Sequence, residues 1–201
     1  NQQGGNIVYQ VGADIWHLPT SGGEARKVKI TLTSDFDQLR EKWVDNPMNY
    51  ITSVEPDPKG ERIVVTARGR MFVFPVNEGR RVDFTGESNI RYRDAVFSAD
   101  GKEVYVLSDE SKEFEFVKLP ANGLGKKQAI TKDGKVLRYG GLPSPDNRFL
   151  AYDDLAGDLH ILNLSNGKST KVSNYDEGIG SFSWSPDSKW LAYVETAFNT
   201  M

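Results

Sequence analysis

The chain has 201 residues, 38% of them hydrophobic and 26% charged, with a net charge of −3. That balance suits a folded globular chain and excludes a disordered tail. The 25 basic and 28 acidic side chains form no long block of one sign, so neither a nucleic-acid groove nor a membrane surface is expected. There is no cysteine, which excludes disulfides and thiolate metal sites. No apolar run approaches the roughly 20 residues of a membrane helix. The opening Asn1-Gln2-Gln3-Gly4-Gly5 has neither an initiator Met nor a signal-peptide pattern. The expected start of the protein therefore lies upstream.

In chain order, the first strand signal is Asp14-Ile15-Trp16-His17-Leu18, followed by the turn residues Ser21-Gly22-Gly23. Residues 31–50 carry no such pattern. From there one short motif recurs: Pro56-Asp57-Pro58-Lys59-Gly60, Ser98-Ala99-Asp100-Gly101, Ser144-Pro145-Asp146-Asn147 and Ser185-Pro186-Asp187-Ser188. Pro presets φ for a turn, Asp bonds nearby backbone, and Gly or Asn tolerates the tight backbone at the turn's end. The four aspartates are spaced by 43, 46 and 41 residues.

Each turn leads into an apolar run: Ile63-Val64-Val65, Val104 to Leu107, Phe149 to Tyr152 and Trp190 to Val194. These runs are rich in β-branched and aromatic residues and do not alternate with polar ones. That is the mark of strands buried on both faces. A further strand comes next in three units, at Met71–Phe74, Glu115–Leu119 and Asp158–Leu162. A turn and a last polar strand close each unit, as in residues 80–85 and 169–173. Four strands per unit at a period of 40–45 residues predict an all-β fold, a β-propeller of four-stranded antiparallel blades. Residues 51–85, 90–131 and 136–174 read as three complete blades. Residues 6–30 and 178–201 read as partial ones. Such an arc is expected to be part of something longer, since a ring closes with about four to eight blades.

The Ser-Pro-Asp-Gly-type turn with its apolar run resembles the WD40-like repeats of TolB-type propellers. Two further segments, Leu32 to Val44 and Ile90-Arg91-Tyr92-Arg93-Asp94-Ala95-Val96-Phe97, resemble tricorn-type peptidases more specifically. The resemblance implies that residues 1–30 end one propeller, residues 31–50 cross over, and residues 51–201 form the first half of a second, seven-bladed one. It implies a non-catalytic part of a serine peptidase that gates short peptides toward a C-terminal active site. The expected partners are then short peptides and the remaining domains of the same polypeptide. The implied compartment is the cytoplasm, with export as the alternative. A TolB-like interaction scaffold and an enzyme with its site at the propeller mouth are the other readings.

No catalytic constellation is found. The only histidines, His17 and His160, fall inside predicted strands and are expected to be structural. No Gly-x-Ser-x-Gly elbow or His-Glu-x-x-His motif occurs. No catalytic residue, metal ligand or cofactor is expected, and the four motif aspartates are read as turn formers. The pairs Asp153-Asp154 and Asp176-Glu177 are read as solvated loops, and Trp16, Trp184 and Trp190 as packing between blades. Arg91, Arg93 and Arg138 precede the turn motif, on the innermost strand of their blades. That strand lines a propeller's channel, so the three are candidates to steer peptide carboxylates. The competing reading pairs them with neighbouring acids. Open blade edges predict self-association into a homo-oligomer.

Overall fold

A computed structural model describes residues 5–37, 40–84, 89–174 and 178–195. The chain divides into two compact units, Asn1–Val44 and Asp45–Met201. In the first, β1 (Asn6–Val11), β2 (Asp14–Pro19) and β3 (Arg26–Lys27) form a three-stranded antiparallel sheet.

The second unit opens with a 3₁₀ turn, Pro47–Tyr50. Three four-stranded antiparallel sheets come after it. The first holds β4 (Ile51–Pro56), β5 (Arg62–Ala67), β6 (Arg70–Pro75) and β7 (Val82–Asp83). The second holds β8 (Tyr92–Phe97), β9 (Glu103–Ser108), β10 (Glu115–Pro120) and β11 (Gln128–Ala129). The third holds β12 (Arg138–Pro143), β13 (Phe149–Asp154), β14 (Asp158–Asn163) and β15 (Ser169–Asn174). A two-stranded sheet of β16 (Ile179–Trp184) and β17 (Leu191–Glu195) comes last. The fold is all-β, in meandering antiparallel blades. The acidic pair Asp176-Glu177 lies outside the described residues.

The turn motif does what its chemistry predicts. Ser144 Oγ donates to Asp146 Oδ1 (2.6 Å) and accepts from the Phe149 N–H (3.0 Å), while Asp146 Oδ1 accepts from the Arg148 N–H (3.1 Å). Ser98 with Asp100, and Ser185 with Asp187, repeat these bonds. In the first blade, however, Asp57 does not stand where those aspartates do. Its backbone takes the place of Ser98, Ser144 and Ser185. Its carboxylate accepts directly from the Glu61 and Arg62 N–H groups. The motif copies are thus out of step by two residues at this blade, and Lys59 occupies the usual aspartate position. A carboxylate has lone pairs enough to replace both the serine hydroxyl and the aspartate.

The fourth turn position lies in the left-handed region in every copy: Gly60 (φ 68°), Gly101 (φ 69°), Asn147 (φ 59°) and Ser188 (φ 59°). Glycine takes this conformation without steric cost. Asn147 and Ser188 use their side chains to bond the turn of the preceding blade. Asn147 Oδ1 accepts from the Ala99 N–H (2.6 Å), and Ser188 Oγ from the Asp146 N–H (3.0 Å). Between the first two turns, Arg62 donates to the Gly101 carbonyl (2.6 Å).

The core lies between blades. Val64, Met71 and Val73 of the first blade pack on Phe97, Val104 and Val106 of the second. Tyr105, Leu107 and Phe116 then pack on Leu150, Tyr152 and Leu162 of the third. This explains the continuous apolar strands, because both faces of a middle blade are buried. Trp184 takes up the expected packing: it stacks on Phe149 and donates Nε1 to the Leu142 carbonyl (3.0 Å). Trp190 stands 74% exposed on the face of the last sheet turned away from the other described blades.

Candidate functional site

Strand β8 packs between β4 and β12, so the first strands of successive blades stand side by side. Each first strand of the second unit carries a register shift near its start, in β4, β8, β12 and β16. A bulge re-aims the side chains beside it. The three arginines singled out from the sequence lie at or just before these irregular segments.

Arg91 precedes β8. Its Nε donates to Asp109 Oδ2 (3.1 Å), its backbone N–H donates to Asp109 Oδ1 (2.6 Å), and its side chain is largely exposed. The stem of Arg91 lies over Gly69 in the β5–β6 hairpin of the neighbouring blade. A Cβ on Gly69 would sit 2.8 Å from Arg91 Cγ, and Gly69 also has φ of 76°. Only glycine fits that contact without strain.

Arg93 lies on β8. It donates to Asp94 Oδ2 (3.2 Å), and its guanidinium sits 5.0 Å from the Phe114 ring centre. Asp94 occupies the bulge with φ of 52°. Asp153, at the end of β13, is partly buried. Burial and the nearby carboxylates of Asp154 and Asp94 push its own carboxyl above the usual range. The Asp153-Asp154 pair therefore belongs to a strand end rather than to a solvated loop.

Arg138 opens β12 and is 1% exposed. It donates to Glu115 Oε2 (3.0 Å) and to the Phe114 carbonyl (3.2 Å), and it pairs with Asp133. Glu115 also accepts from Thr131 and from the Gly134 N–H (2.6 Å). Burial works to raise the Asp133 carboxyl, but the Arg138 guanidinium holds it below its ordinary value. Arg138 Nε is buried without a hydrogen-bond acceptor among the described residues. A guanidinium enclosed in this way joins the second blade to the third, and its donors are not presented to solvent. The Arg91 side chain is largely exposed and that of Arg93 partly so.

Beyond Arg138, the Tyr152 ring stacks on His160 (4.9 Å between centres), and His160 Nε2 lies 2.8 Å from Asp154 Oδ2. Asp154 Oδ1 closes the β13–β14 hairpin by accepting from Ala156 and Asp158 N–H groups. Asp158 is held by Lys171 (2.8 Å). Potential ligand atoms of Asp154, Asp158 and His160 lie within 4.8 Å of one another, yet each of the three already bonds a protein partner. Among the described residues, no hydroxyl is bonded to His160 in the manner of a Ser–His–acid site. Sequence reading missed this aromatic–polar row, since its members come from separate strands of the third blade and meet only when those strands pair.

Stacked four-stranded antiparallel blades joined by Ser-Pro-Asp turns define a β-propeller protein. The architecture is shared with the crystal structure of the tricorn protease, at 17% identity and a TM-score of 0.66; the match covers 94% of this chain and 18% of that one. A TolB structure from Acinetobacter baumannii aligns at 15% identity and a TM-score of 0.61, covering 93% of this chain and 44% of that one. A TolB structure from Agrobacterium tumefaciens aligns at 16% identity and 0.55, covering 95% and 70%. The chain thus spans less than a fifth of the tricorn protease it matches. No curated protein matches the sequence. The family model for the tricorn protease second beta propeller domain matches residues 51–201, and the chain belongs to that family.

Proposed function

We propose that this chain is the non-catalytic propeller portion of a tricorn-like serine peptidase. In that role it gates or channels short peptides toward an active site carried by other domains of the same polypeptide. The observation that supports the reading best is the position of Arg91 and Arg93 at a blade's first strand, the first largely and the second partly exposed, in a chain of this family. Two cations beside a channel attract the carboxylate end of a peptide and raise its local concentration. Residues 1–30 would then end a preceding propeller, and the working compartment would be the cytoplasm. No helix among the described residues is long and apolar enough to cross a membrane.

The polypeptide that carries this segment, captured from its source cells with an antibody to it, is expected to be several times larger than this chain and to hydrolyse short peptides. Arg91→Glu combined with Arg93→Glu is expected to raise KM several-fold for peptides with a free C-terminal carboxylate. KM for amidated peptides should hold. An equal effect on both peptide types would end the steering role. The second reading, a TolB-like interaction scaffold, draws on the two TolB likenesses. It gains if the captured protein is close to this chain in size and cleaves nothing.

A further inference from the structure

The junction between the second and third blades departs from the repeat at its turn end. Pairing with Glu55, Val96, Leu142 and Ser183 gives Val64, Tyr105, Ala151 and Ala192 one shared position from sheet to sheet. The second blade alone puts a phenol there. The cross-strand partner of that position is Val73 in the first blade and Ile161 in the third, but Lys118 in the second. An apolar pair builds this part of a blade in the other copies, so the fold itself requires neither the hydroxyl nor the ammonium.

A cleft of about 400 Å³ opens at this place, a size within the range of small-molecule sites. Its lining comes from the second and third blades alone, so it does not depend on what stands at either end of the arc. Tyr105 borders it and is 4% exposed, yet its hydroxyl has no hydrogen-bond partner among the described residues. A buried hydroxyl left in that state is costly unless something bonds it. Burial, and then the Glu103 and Asp100 carboxylates, push this hydroxyl up to about 12. It therefore keeps its proton at neutral pH and can both donate and accept. The other polar groups are mixed. Glu103 pairs with Lys118 (3.2 Å). Asn147 and Asn163 spend their side-chain oxygens on the Ala99 and Ser165 N–H groups, which leaves each amide nitrogen to donate. The cations of Lys118 and Arg148 balance the carboxylates of Glu103 and Asp100.

We propose that this cleft binds a neutral saccharide, whose hydroxyl groups bond the Tyr105 hydroxyl and the Asn147 and Asn163 amides. A charge-balanced cleft with donors and acceptors side by side suits a ligand whose groups do both, and a sugar hydroxyl does. Leu164 and Phe149 add apolar lining for the carbon face of the ring. A peptide main chain fits less well. The strands at the cleft, β9, β10, β13 and β14, are interior to their sheets, so no free sheet edge is offered for an added strand. The site stands or falls apart from any peptidase activity.

Saturation-transfer NMR on the full chain tests it, with glucose, galactose, mannose, N-acetylglucosamine, maltose and lactose as probes at millimolar concentration. Transfer to at least one sugar is expected, and Tyr105→Phe should weaken that binding about three- to tenfold. The same variant should leave the urea midpoint unchanged or raised, because the hydroxyl it removes bonds no protein group. Lys118→Val combined with Glu103→Gln is a second variant that takes the cleft toward the first blade's pattern, where Val73 stands in place of Lys118. It should fold and bind the sugar less well. Acetyl-trialanine amide, a neutral peptide, should not bind. No transfer to any of the sugars, binding that both variants leave intact, binding of the peptide in preference to the sugars, or a lowered urea midpoint for Tyr105→Phe would each overturn the proposal.

Discussion

The side-chain oxygen of Asn147 lies 2.6 Å from the backbone nitrogen of Ala99, across the boundary between two blades. Asn147 holds a left-handed conformation at φ 59° to make that reach. The residue thus trades local backbone strain for a bond that joins two turns.

Two substitutions separate these effects. Asn147→Ala keeps the strain and leaves the Ala99 N–H without its partner, so about 1–2 kcal/mol of stability should be lost. Asn147→Gly also loses the bond but relieves the strain, so its cost should be smaller. Urea unfolding midpoints of the two variants give the comparison. A glycine variant less stable than the alanine one would show that the backbone at this position is not strained.

Arg138 and Glu115 are both buried, and removing Arg138 takes away the guanidinium that faces Glu115, whereas removing Glu115 leaves Arg138 with Asp133. Arg138→Ala should cost about 3–5 kcal/mol, and Glu115→Ala less. The double variant Glu115→Leu with Arg138→Met should cost less than the two single changes added together. A double-mutant cycle by chemical denaturation reads this coupling. Additive losses would mean that the pair is not an energetic unit.

The Asp146 carboxyl is held down to about 2, first by the Ser144 hydroxyl and then, against burial, by the Arg148 N–H and guanidinium. A carboxyl lower in the folded state than in the unfolded one stabilises at pH above the unfolded value of about 4. That contribution disappears as pH falls through about 2. Asp57, Asp100 and Asp187 are lowered as well, so the turns share one acid limb. Ser144→Ala should flatten the limb between about pH 4 and 2, as followed by denaturation midpoint against pH. An unchanged slope would remove Ser144 as the cause.

Asp153 has the opposite sign. Burial first, and then Asp154 and Asp94, raise its carboxyl above the unfolded value. The folded state then binds the proton more tightly, so stability falls as pH rises through the raised value and stays lower at neutral pH. Asp153→Asn should therefore raise the thermal midpoint at about pH 7 and make little difference below about pH 4. Equal gains at both pH values would point to packing rather than charge.

Much of the architecture was legible along the chain. The period, the Ser-Pro-Asp turns and the doubly apolar runs such as Val104–Leu107 predict four-stranded blades because each depends on neighbouring residues only. The step at the first turn was not legible. Asp57 matches Asp100 by residue type, yet its backbone bonds place it with Ser98. Local chemistry allowed either alignment, and the strand register chose between them.

The arginines mark where local reading ends. By itself the sequence determined that Arg91, Arg93 and Arg138 precede a blade's turn on its first strand, because that is a consequence of the repeat. Tertiary structure alone decided that Arg138 is enclosed by Glu115 and Asp133 while Arg91 lies open beside Asp109. The same holds for Trp184, stacked on Phe149. Periodicity reports which positions share a face. Whether a given face is covered depends on the neighbouring blade, tens of residues away along the chain, and on the charges that blade brings to the junction.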